Sequence, residues 1–332
     1  MLILGIDTSC DDTAASVVED GHNILSNIVS SQNEIHSKYG GIVPELASRK
    51  HIEMVIPVVH EAMLKAGAQF NDVSAIAVSR GPGLIGSLLV GVCFAKALSF
   101  TKKIPLVAIN HLEGHIHSIF LEEKPKYPFL ALVVSGGHTS FYRVDGFGLY
   151  NELGRTRDDA AGEAFDKVAK LLGFGYPGGP IIDTLAAKGN AGAIAFPRTF
   201  IKESFDVSFS GLKTAVLNYT KKYPESKKED IAASFQSAVI EILIKRTIDI
   251  AQSTNIKNIV LSGGVAANSA LRRQIKEKSL EAGLGVYLPS LDLCTDNAAM
   301  IAAAGYYHFI NNKIANYTLN PKAYLILGAA DG

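Results

Sequence analysis

Two histidines, His111 and His115, stand four residues apart in the sequence. At about 3.6 residues per helical turn, their rings project from one helix face, roughly 40° apart, so they could share a divalent metal ion. A solvated helix that happens to carry histidines is the alternative for an isolated H-x-x-x-H pair. Glu113 falls about 200° around the helix and cannot act as the base of an H-E-x-x-H protease. The pair indicates a metal site but not a zinc protease.

A third ligand for this metal is available in Asp296, which comes just before a helix of small residues predicted over 298–306. Two imidazoles and one carboxylate would leave open coordination positions, as a catalytic metal requires. A carboxylate near a helix N-cap is often purely structural, and this alternative stays open for Asp296. His117 and His138 are expected to be structural.

Length and composition exclude several classes of protein. The 332 residues suffice for two lobes with buried cores, and 48% hydrophobic against 19% charged residues argues against disorder. The 32 basic and 32 acidic side chains give a formal net charge of zero. A dedicated nucleic-acid binder usually has a basic surplus, so any polynucleotide would bind through a local patch or with help.

The cysteines and the apolar segments predict a cytoplasmic protein. Cys10, Cys93 and Cys294 form an odd and sparse set, which favours reduced thiols. The N-terminus has no basic segment ahead of its apolar run, so a signal peptide is not expected. The longest apolar stretch, over 84–98, is too short to span a bilayer and predicts a buried helix.

The elements that must position these residues occur in two similar series. Short apolar runs over 2–6, 13–18 and 24–29 predict three strands, and a strand over 75–79 leads through a glycine turn into a helix over 87–99. A hairpin over 129–144 and a later strand–glycine–helix unit over 259–281 repeat that order. The duplication predicts an α/β protein with two similar lobes and a cleft between them.

Two loops in these series have specific interpretations. The turn Arg80-Gly81-Pro82-Gly83 precedes a helix and could bind a phosphate, although it does not match the Walker pattern and could be an ordinary connection. Thr156-Arg157-Asp158-Asp159 has a capping-box pattern ahead of a helix predicted over 160–172.

Seven separate motifs, in order, resemble the TsaD family, the tRNA adenosine threonylcarbamoyltransferases, and fit its bacterial branch. The resemblance covers the chain from Leu2 to about Asn316. The motifs are GIDTSCDD at 5–12, GPGL at 81–84, NHLEGH at 110–115, VSGGHT at 134–139, YPGGP at 176–180, FSGLK at 209–213 and SGGVAAN at 262–268. The family commonly has glutamate where this chain has Asp12.

The resemblance implies the ASKHA fold (actin/Hsp70/sugar-kinase-like), with an N-terminal lobe over 1–104 plus about 297–332 and a C-terminal lobe over 105–296. It implies transfer of the threonylcarbamoyl group of threonylcarbamoyl-AMP to N6 of the adenosine beside the anticodon, in tRNAs that read codons starting with A, with release of AMP. The implied partners are tRNA, a shorter degenerate paralogue (TsaB-like), a small ATPase (TsaE-like) and an enzyme that supplies threonylcarbamoyl-AMP (TsaC-like). Binding to a membrane is not expected. The partner-binding face is expected to be a hydrophobic helical surface of the N-terminal lobe.

The resemblance also assigns residues to sites. The implied cofactors are one divalent metal, with Fe²⁺ favoured and Zn²⁺ also suited, and an adenine nucleotide that is threonylcarbamoyl-AMP and could include ATP. The candidate proton acceptor for the attacking amine is Asp11, which could also be a turn former, like Asp7 and Asp12. The implied metal ligands are His111, His115 and Asp296; the implied adenylate-site residues are Val133, Val134, Ser135, Gly136, Gly137, Asp166, Gly179, Asp183 and Asn268.

Two other classes of function were weighed against the transferase. A phosphotransferase of the same fold acting on a small metabolite is the main alternative, because fold alone does not fix function. Such a kinase would use Mg²⁺ and carboxylates and would not need the histidine pair. A chaperone of this fold would need a separate peptide-binding domain, for which no residues remain.

Overall fold

The chain divides into two compact units in the computed structural model, which describes residues 1–328. Unit 1 combines Met1–Lys124 with the C-terminal segment that begins at Asp296, and unit 2 is Pro125–Thr295. The predicted boundary near 297 agrees with this division, whereas the predicted boundary at 104 lies 20 residues before the end of the first segment at Lys124. Residues 105–124 lie in unit 1 because the strand Leu106–Asn110 pairs in parallel with the strand Val73–Gly81. His111, His115 and Asp296 consequently all belong to unit 1.

Unit 1 is an α/β unit around one sheet. Its strands are β1 (Leu2–Asp7), β2 (Asp12–Glu19), β3 (Asn23–Ser31), β4 (Val73–Gly81) and β5 (Leu106–Asn110). Its α-helices are α1 (Asn33–Ser37), α2 (Pro44–Lys65), α3 (Ile85–Lys102), α4 (His111–His117) and α11 (Ala298–Ile310), the last being numbered in chain order. Short 3-10 helices cover Phe70–Asp72 and Ser118–Leu121.

Unit 2 has a second sheet and a larger set of helices. Its strands are β6 (Phe129–Val134), β7 (Thr139–Gly146), β8 (Leu149–Arg155), β9 (Asn258–Ser262) and β10 (Gly285–Tyr287). Its α-helices are α5 (Ala161–Leu171), α6 (Gly178–Ala186), α7 (Ser210–Lys222), α8 (Lys228–Ser253), α9 (Ser269–Glu281) and α10 (Leu291–Cys294). A 3-10 helix covers Gly264–Ala267.

The two sheets have the same topology, which confirms the predicted duplication. The strand orders are β3-β2-β1-β4-β5 in unit 1 and β10-β9-β6-β7-β8 in unit 2, which is the same order read from opposite edges. In each sheet three antiparallel strands come first, and two parallel strands are then added beside the first of them. The register is fixed because strands such as β1 and β6 are buried on both faces.

Each unit has its own hydrophobic core. In unit 1 the side chains of β1, β2 and β4 pack against α2 and α3, with Val58, Val59 and Val92 among the buried contacts. In unit 2 the core joins β6 and β9 to the long apolar helix α8, which contributes Phe235, Val239 and Leu243. Burial of this many aliphatic and aromatic side chains is the main source of stability for each unit.

Close backbone packing sets the position of α11 in unit 1. A Cβ atom added at Gly5 of β1 would collide with Ala298 O of α11 and would lie 2.8 Å from Ala302 N. A Cβ atom at Gly114 of α4 would lie 2.8 Å from Ile301 Cδ1. At Gly5 the obstacle is backbone, so only glycine lets β1 approach α11 this closely, whereas at Gly114 the side chains of Ile301 and Met300 would have to shift. The start of α11, and Asp296 with it, is thereby held near α4.

Helix α3 is the one described helix that is long and apolar enough to cross a membrane by length and composition, and a third of that window is buried inside the structure. Core helices of soluble proteins pass the same test. Leu88, Val92 and Ala95 face the core, as expected for a buried helix, but Ile85 and Phe100 are exposed. The prediction that this stretch is too short to span a bilayer is wrong, since the helix has 18 residues.

Some local predictions were wrong. The capping box at Thr156–Asp159 does not form: α5 begins after Ala160 with no side-chain cap, and the Thr156 hydroxyl donates to Asp159 O at 2.7 Å. Asp158 instead accepts hydrogen bonds from the backbone N–H groups of Phe209 and Ser210 and from nearby serine hydroxyls. The acidic residue thus orders the start of α7 rather than the start of α5.

Candidate functional site

Three side chains of unit 1 converge where a metal ion could be held. His111 and His115 project from α4, whose N-cap Asn110 accepts a hydrogen bond from Leu112 N. Asp296 comes immediately before Asn297, which is the N-cap of α11, so Asp296 is not the cap itself. Asp296 Oδ1 lies 3.2 Å from His115 Nε2 and 3.5 Å from His111 Nε2. Ligands bound to one ion at about 2.1 Å lie about 3 to 3.5 Å apart, so this donor set fits a divalent cation.

Burial makes the histidine pair unusual. His111 is 5% exposed and His115 is fully buried, with ring centroids 4.7 Å apart. Neither ring nitrogen of His115 has a hydrogen-bond partner, and neither does His111 Nδ1. Buried polar atoms without partners are rare because each costs about 1–3 kcal/mol of desolvation. One metal ion would take one nitrogen of each ring, so it could satisfy one of the two unpartnered nitrogens of His115. The burial of both rings rules out a solvated helix face.

The charges of the three groups are coupled. Burial lowers the pKa of His111, but the carboxylates of Asp7 and Asp296 outweigh it and raise that pKa to about 10. Burial raises the pKa of Asp296, but the neighbouring His111 and His115 hold it well below its usual range. Asp296 is therefore ionised, and a negative oxygen faces both imidazoles.

Asp7 is a site residue that the sequence did not identify beyond a turn-forming alternative. Its side chain is buried, and Oδ1 accepts hydrogen bonds from Ser79 Oγ at 2.5 Å and from Ser9 N at 3.0 Å. Its Oδ2 lies 3.3 Å from His111 Nδ1. This places a carboxylate behind the ring, on the side away from Asp296, where metal-bound histidines commonly have one. Asp7 is 104 residues from His111 in the sequence, so no local signal could connect the two.

Glu113 faces away from the histidine pair, as its helical position predicts. Its Oε2 lies 2.9 Å from Nε2 of His308 on α11. This ion pair joins α4 to the helix that follows Asp296, on the side opposite the metal ligands. His117 is buried and stacks on Phe120, and its burial lowers its pKa to about 4. A neutral, packed His117 agrees with the structural role expected for it.

The turn between β1 and β2 adds further carboxylates to unit 1. Asp11 is 8% exposed. Burial raises the pKa of the Cys10 thiol well above its usual range, and the charges of Asp11 and Asp296 raise it further. Burial, then the charges of Asp11 and Asp296, raise the pKa of Asp12 to about 7. Neutral His51 fixes this turn from α2: its Nε2 lies 3.0 Å from Cys10 O and its Nδ1 lies 2.8 Å from Thr13 Oγ1.

The adenylate-site residues predicted for unit 2 gather at the carboxyl ends of β6 and β9. Val133 pairs with Ser262 across these parallel strands. A Cβ atom added at Gly263 would collide with the backbone of Val134, so the two strand ends lie close together. The loop after β6 closes with a hydrogen bond from Ser135 N to His138 O at 2.8 Å. No atom lies within 4 Å of a Cβ position at Gly136 or Gly137, so the backbone there is open to a ligand.

Asp166 and Gly179 lie side by side in the same unit. Asp166 is on α5, and its Oδ1 accepts a hydrogen bond from Gly178 N at 2.7 Å, which ties α5 to the start of α6. Asp166 is therefore a half-buried, hydrogen-bonded residue and not a free surface charge. Gly179 has open space at its Cβ position, whereas Gly178 is packed against Asp166.

Asp183 and Asn268 also meet, and protein groups already bind both. Asp183 accepts hydrogen bonds from Ser269 N and Ser269 Oγ, each at 3.0 Å, and from Gln236 Nε2 at 3.1 Å. Asn268 Oδ1 accepts from Leu271 N at 2.9 Å and caps α9. Gln236 on α8 was not identified from the sequence, because a glutamine within a long helix carries no motif.

The Arg80–Gly83 turn is occupied by the chain itself. Lys322 N donates to Arg80 O at 2.7 Å, and Gly83 N donates to Ala323 O at 3.1 Å. Leu84 N donates to Ser9 O at 2.8 Å. Gly83 and Leu84 thus already donate their N–H groups to carbonyl oxygens of the chain, and Pro82 has no N–H. The phosphate interpretation of this turn is therefore not supported. The C-terminal segment covers it instead.

The fold defines the class of protein. Two units with the same five-stranded topology characterise the ASKHA fold, and solved structures of that kind match nearly the whole chain. Full-length HypF in the phosphate- and nucleotide-bound form has a TM-score of 0.62 over 98% of this chain and 56% of that chain, at 16% identity. The Acidaminococcus fermentans (R)-2-hydroxyglutaryl-CoA dehydratase component A has a TM-score of 0.56 over 92% of this chain and 98% of that chain, at 17% identity. These matches confirm the predicted fold class.

The sequence defines the family. Residues 23–303 match the family model described as TsaD: tRNA N6-adenosine threonylcarbamoyltransferase. The relative of that name from Thermodesulfovibrio yellowstonii is 58% identical over 98% of this chain and 100% of its own length. Those from Syntrophus aciditrophicus and Clostridioides difficile are 56% and 53% identical, each over 96% of both chains. The chain belongs to the TsaD family, which confirms the predicted resemblance.

The raised pKa of Asp12 gives a prediction about stability. One Asp12 oxygen is buried without a hydrogen-bond partner. In the unfolded chain an aspartate has a pKa near 3.8, against about 7 in the folded protein. The folded state then binds more protons between these two values, so stability falls as pH rises from about 4 to 7. We expect Asp12→Asn to stabilise metal-free protein at pH 8, by up to about 4 kcal/mol, and to have no effect near pH 4.

Urea denaturation at both pH values measures this difference, with Asp292→Asn as a control because Asp292 is exposed. Equal stabilities of wild type and Asp12→Asn at pH 8 would contradict the raised pKa.

Proposed function

We propose that this chain transfers the threonylcarbamoyl group of threonylcarbamoyl-AMP to N6 of the adenosine next to the anticodon, in tRNAs that read codons starting with A, and releases AMP. The observation that carries the proposal is identity of 58% over essentially the full length of a relative named for this transfer. The histidine pair favours this reaction over a phosphotransferase of the same fold, because carboxylates alone suffice to hold the Mg²⁺ of a kinase.

The reaction needs positioning more than activation. The exocyclic amine attacks the carbamoyl carbon, the bond from that carbon to the phosphate oxygen breaks, and AMP leaves with the electron pair. A carbamoyl–phosphate anhydride has a good leaving group, so orientation and charge stabilisation supply most of the catalysis. The amine must lose a proton, and Asp11, a buried carboxylate at the β1–β2 turn, is the proposed acceptor.

We assign the adenylate to unit 2. The open backbone at Gly136 and Gly137 offers N–H groups to phosphate or acyl oxygens. Asp183 accepts ribose hydroxyl hydrogens, and Asn268 bonds to an adenine edge. Gly179 allows the ligand to approach the backbone, and Asp166 keeps the turn before it in place through Gly178 N.

We assign a divalent metal to His111, His115 and Asp296, with Fe²⁺ favoured and Zn²⁺ also suited. The support is the convergence of the three donors and the lack of any hydrogen bond to the buried ring of His115. When bound, the metal would act as a Lewis acid on phosphate or carbamoyl oxygens. Asp7 would hold the Nδ1 proton of His111, so that Nε2 faces Asp296.

The partners proposed are those that the family resemblance implies. Unit 1 exposes apolar side chains along α2 and α3, which pack together, and we propose that this surface binds the shorter TsaB-like paralogue. The exposed residues are Ile52, Ile56 and Leu64 on α2, and Ile85, Leu89 and Phe100 on α3. The TsaE-like ATPase and the TsaC-like synthase complete the set. No disulfide joins Cys10, Cys93 and Cys294 in the described residues, and we propose the cytoplasm as the compartment.

The proposed reaction is tested by mass spectrometry of tRNA nucleosides after incubation of the protein with threonylcarbamoyl-AMP, unmodified tRNA and the partners. Wild type is expected to produce threonylcarbamoyladenosine. We expect His111→Ala with His115→Ala to abolish the product and the bound metal while circular dichroism is unchanged, because both ligands on α4 are lost. His22→Ala, at an exposed histidine, is the control. Full activity in the double variant would remove the metal from the proposal.

A second prediction concerns Asp7. Asp7→Asn removes the charge behind His111 and is expected to weaken metal binding about 10- to 100-fold, because carboxylates of this kind orient and polarise a metal-bound imidazole. Anaerobic titration of metal-free protein with Fe²⁺ measures the affinity directly. Asp20→Asn, on the exposed turn at the other end of the same hairpin, should bind Fe²⁺ as wild type does. Unchanged affinity in Asp7→Asn would show that Asp7 only supports the turn.

A third prediction concerns tRNA. With 32 basic and 32 acidic side chains, the isolated protein is expected to bind tRNA weakly, since few phosphates are neutralised. Filter binding or fluorescence anisotropy across a salt series, with and without the TsaB-like and TsaE-like partners, measures this. Tight and strongly salt-dependent binding by the protein alone would contradict the prediction.

A further inference from the structure

Gln236 links two residues that we assign to the adenylate. It lies on α8 and is only 5% exposed, whereas Asp183 and Asn268 are each partly exposed. Its Nε2 donates to Asp183 Oδ1 at 3.1 Å, and its Oε1 accepts from Asn268 Nδ2 at 2.7 Å. The buried amide therefore lies behind the two partly exposed side chains and bonds to both of them.

The direction of these bonds determines what Asn268 presents to a ligand. Its Oδ1 accepts from Leu271 N, and one of its two amide hydrogens goes to Gln236. The amide cannot rotate by 180° without losing both bonds. One N–H remains, so Asn268 can donate to a ligand, and its Oδ1 keeps one lone pair beside the bond from Leu271 N. An adenine ring nitrogen, which accepts, is a matching partner.

Asp183 is constrained in the complementary sense. Three protein donors, two of them from Ser269, hold its carboxylate in one orientation. A carboxylate with about four lone-pair sites keeps acceptor capacity after three bonds. It therefore meets a ligand as an acceptor, which matches a ribose hydroxyl. Among the side chains of this size, glutamine alone supplies a donor to Asp183 and an acceptor to Asn268 at once.

From this geometry we infer that Gln236 is a positioning residue for adenine nucleotides, which sets Asn268 as a donor and Asp183 as an acceptor without touching the ligand. The inference rests on the proposed function, because it concerns the nucleotide site assigned there. Gln236→Glu keeps the shape but places a second carboxylate against Asp183. Gln236→Met keeps the volume and removes both hydrogen bonds without adding charge.

The test is isothermal titration of the full-length protein with AMP, together with a thermal denaturation midpoint for each variant. Gln236→Glu and Gln236→Met are expected to weaken AMP binding about tenfold. Ser234→Ala is the matched control, because Ser234 is a buried polar residue of the same helix that bonds to Asn190 and Ile194. It should bind AMP within about twofold of wild type at a similar denaturation midpoint.

An exchange variant separates positioning from general stability. In the double variant Asp183→Asn with Gln236→Glu, the amide introduced at position 183 can donate to the carboxylate introduced at position 236. That carboxylate can still accept from Asn268 Nδ2. We expect the exchange variant to bind AMP more tightly than Gln236→Glu alone, by non-additive coupling. The inference is overturned if wild type binds AMP and Gln236→Glu and Gln236→Met bind it equally well, or if Ser234→Ala loses as much affinity as they do. Failure of wild type to bind AMP would overturn the proposed nucleotide site itself.

Discussion

The position of α11 is the constraint on which the metal-ligand set depends. Asp296 is 181 residues from His115 in sequence, and it reaches the histidines because α11 packs directly on β1 and α4. Gly5 and Gly114 make that approach sterically feasible, and the Glu113–His308 pair ties the same two helices together on their other side. The contact of Glu113 with His308 at 2.9 Å joins α4, which carries His111 and His115, to the helix that follows Asp296.

The candidate ligand-binding residues of unit 2 are held in place in a different way. They are held by hydrogen bonds to backbone N–H groups and to a buried amide rather than by close helix packing. Asp166 binds Gly178 N, Asp183 binds Ser269 N, and Asn268 binds Leu271 N. Each of these bonds satisfies a donor at or near a helix start that would otherwise lack an intrahelical partner. The same side chains therefore shape the helix termini and set the polarity that a ligand meets.

Sequence reasoning succeeded where a signal is local. The helical placement of His111 and His115, the strand Phe129–Val134 and the duplication depend on spacing and periodicity, and the structure has all three. It failed where the deciding contact is distant. Thr156 and Asp159 have the spacing of a capping box, yet no box forms, and the neighbouring Asp158 binds residues about 50 positions away. Asp7 and Gln236 gain their roles only through tertiary contacts, so no pattern around either residue could have identified them. The phosphate interpretation of the Arg80–Gly83 turn failed for the same reason, since the distant residues Lys322 and Ala323 bind to this turn.

The electrostatics of unit 1 bring these observations together. Asp7, Asp11, Asp12 and Asp296 lie on or near the turn between β1 and β2 and the start of α11, and their charges act on one another and on His111 and Cys10. Bringing several carboxylates into a poorly solvated region costs free energy unless positive charge compensates them. Burial, with the charges of Asp11 and Asp296, raises the pKa of Asp12, whereas His111 and His115 beside Asp296 hold its pKa low. The proposed divalent metal needs neutral imidazoles and an ionised carboxylate as ligands, so its binding here would release any proton held by these rings.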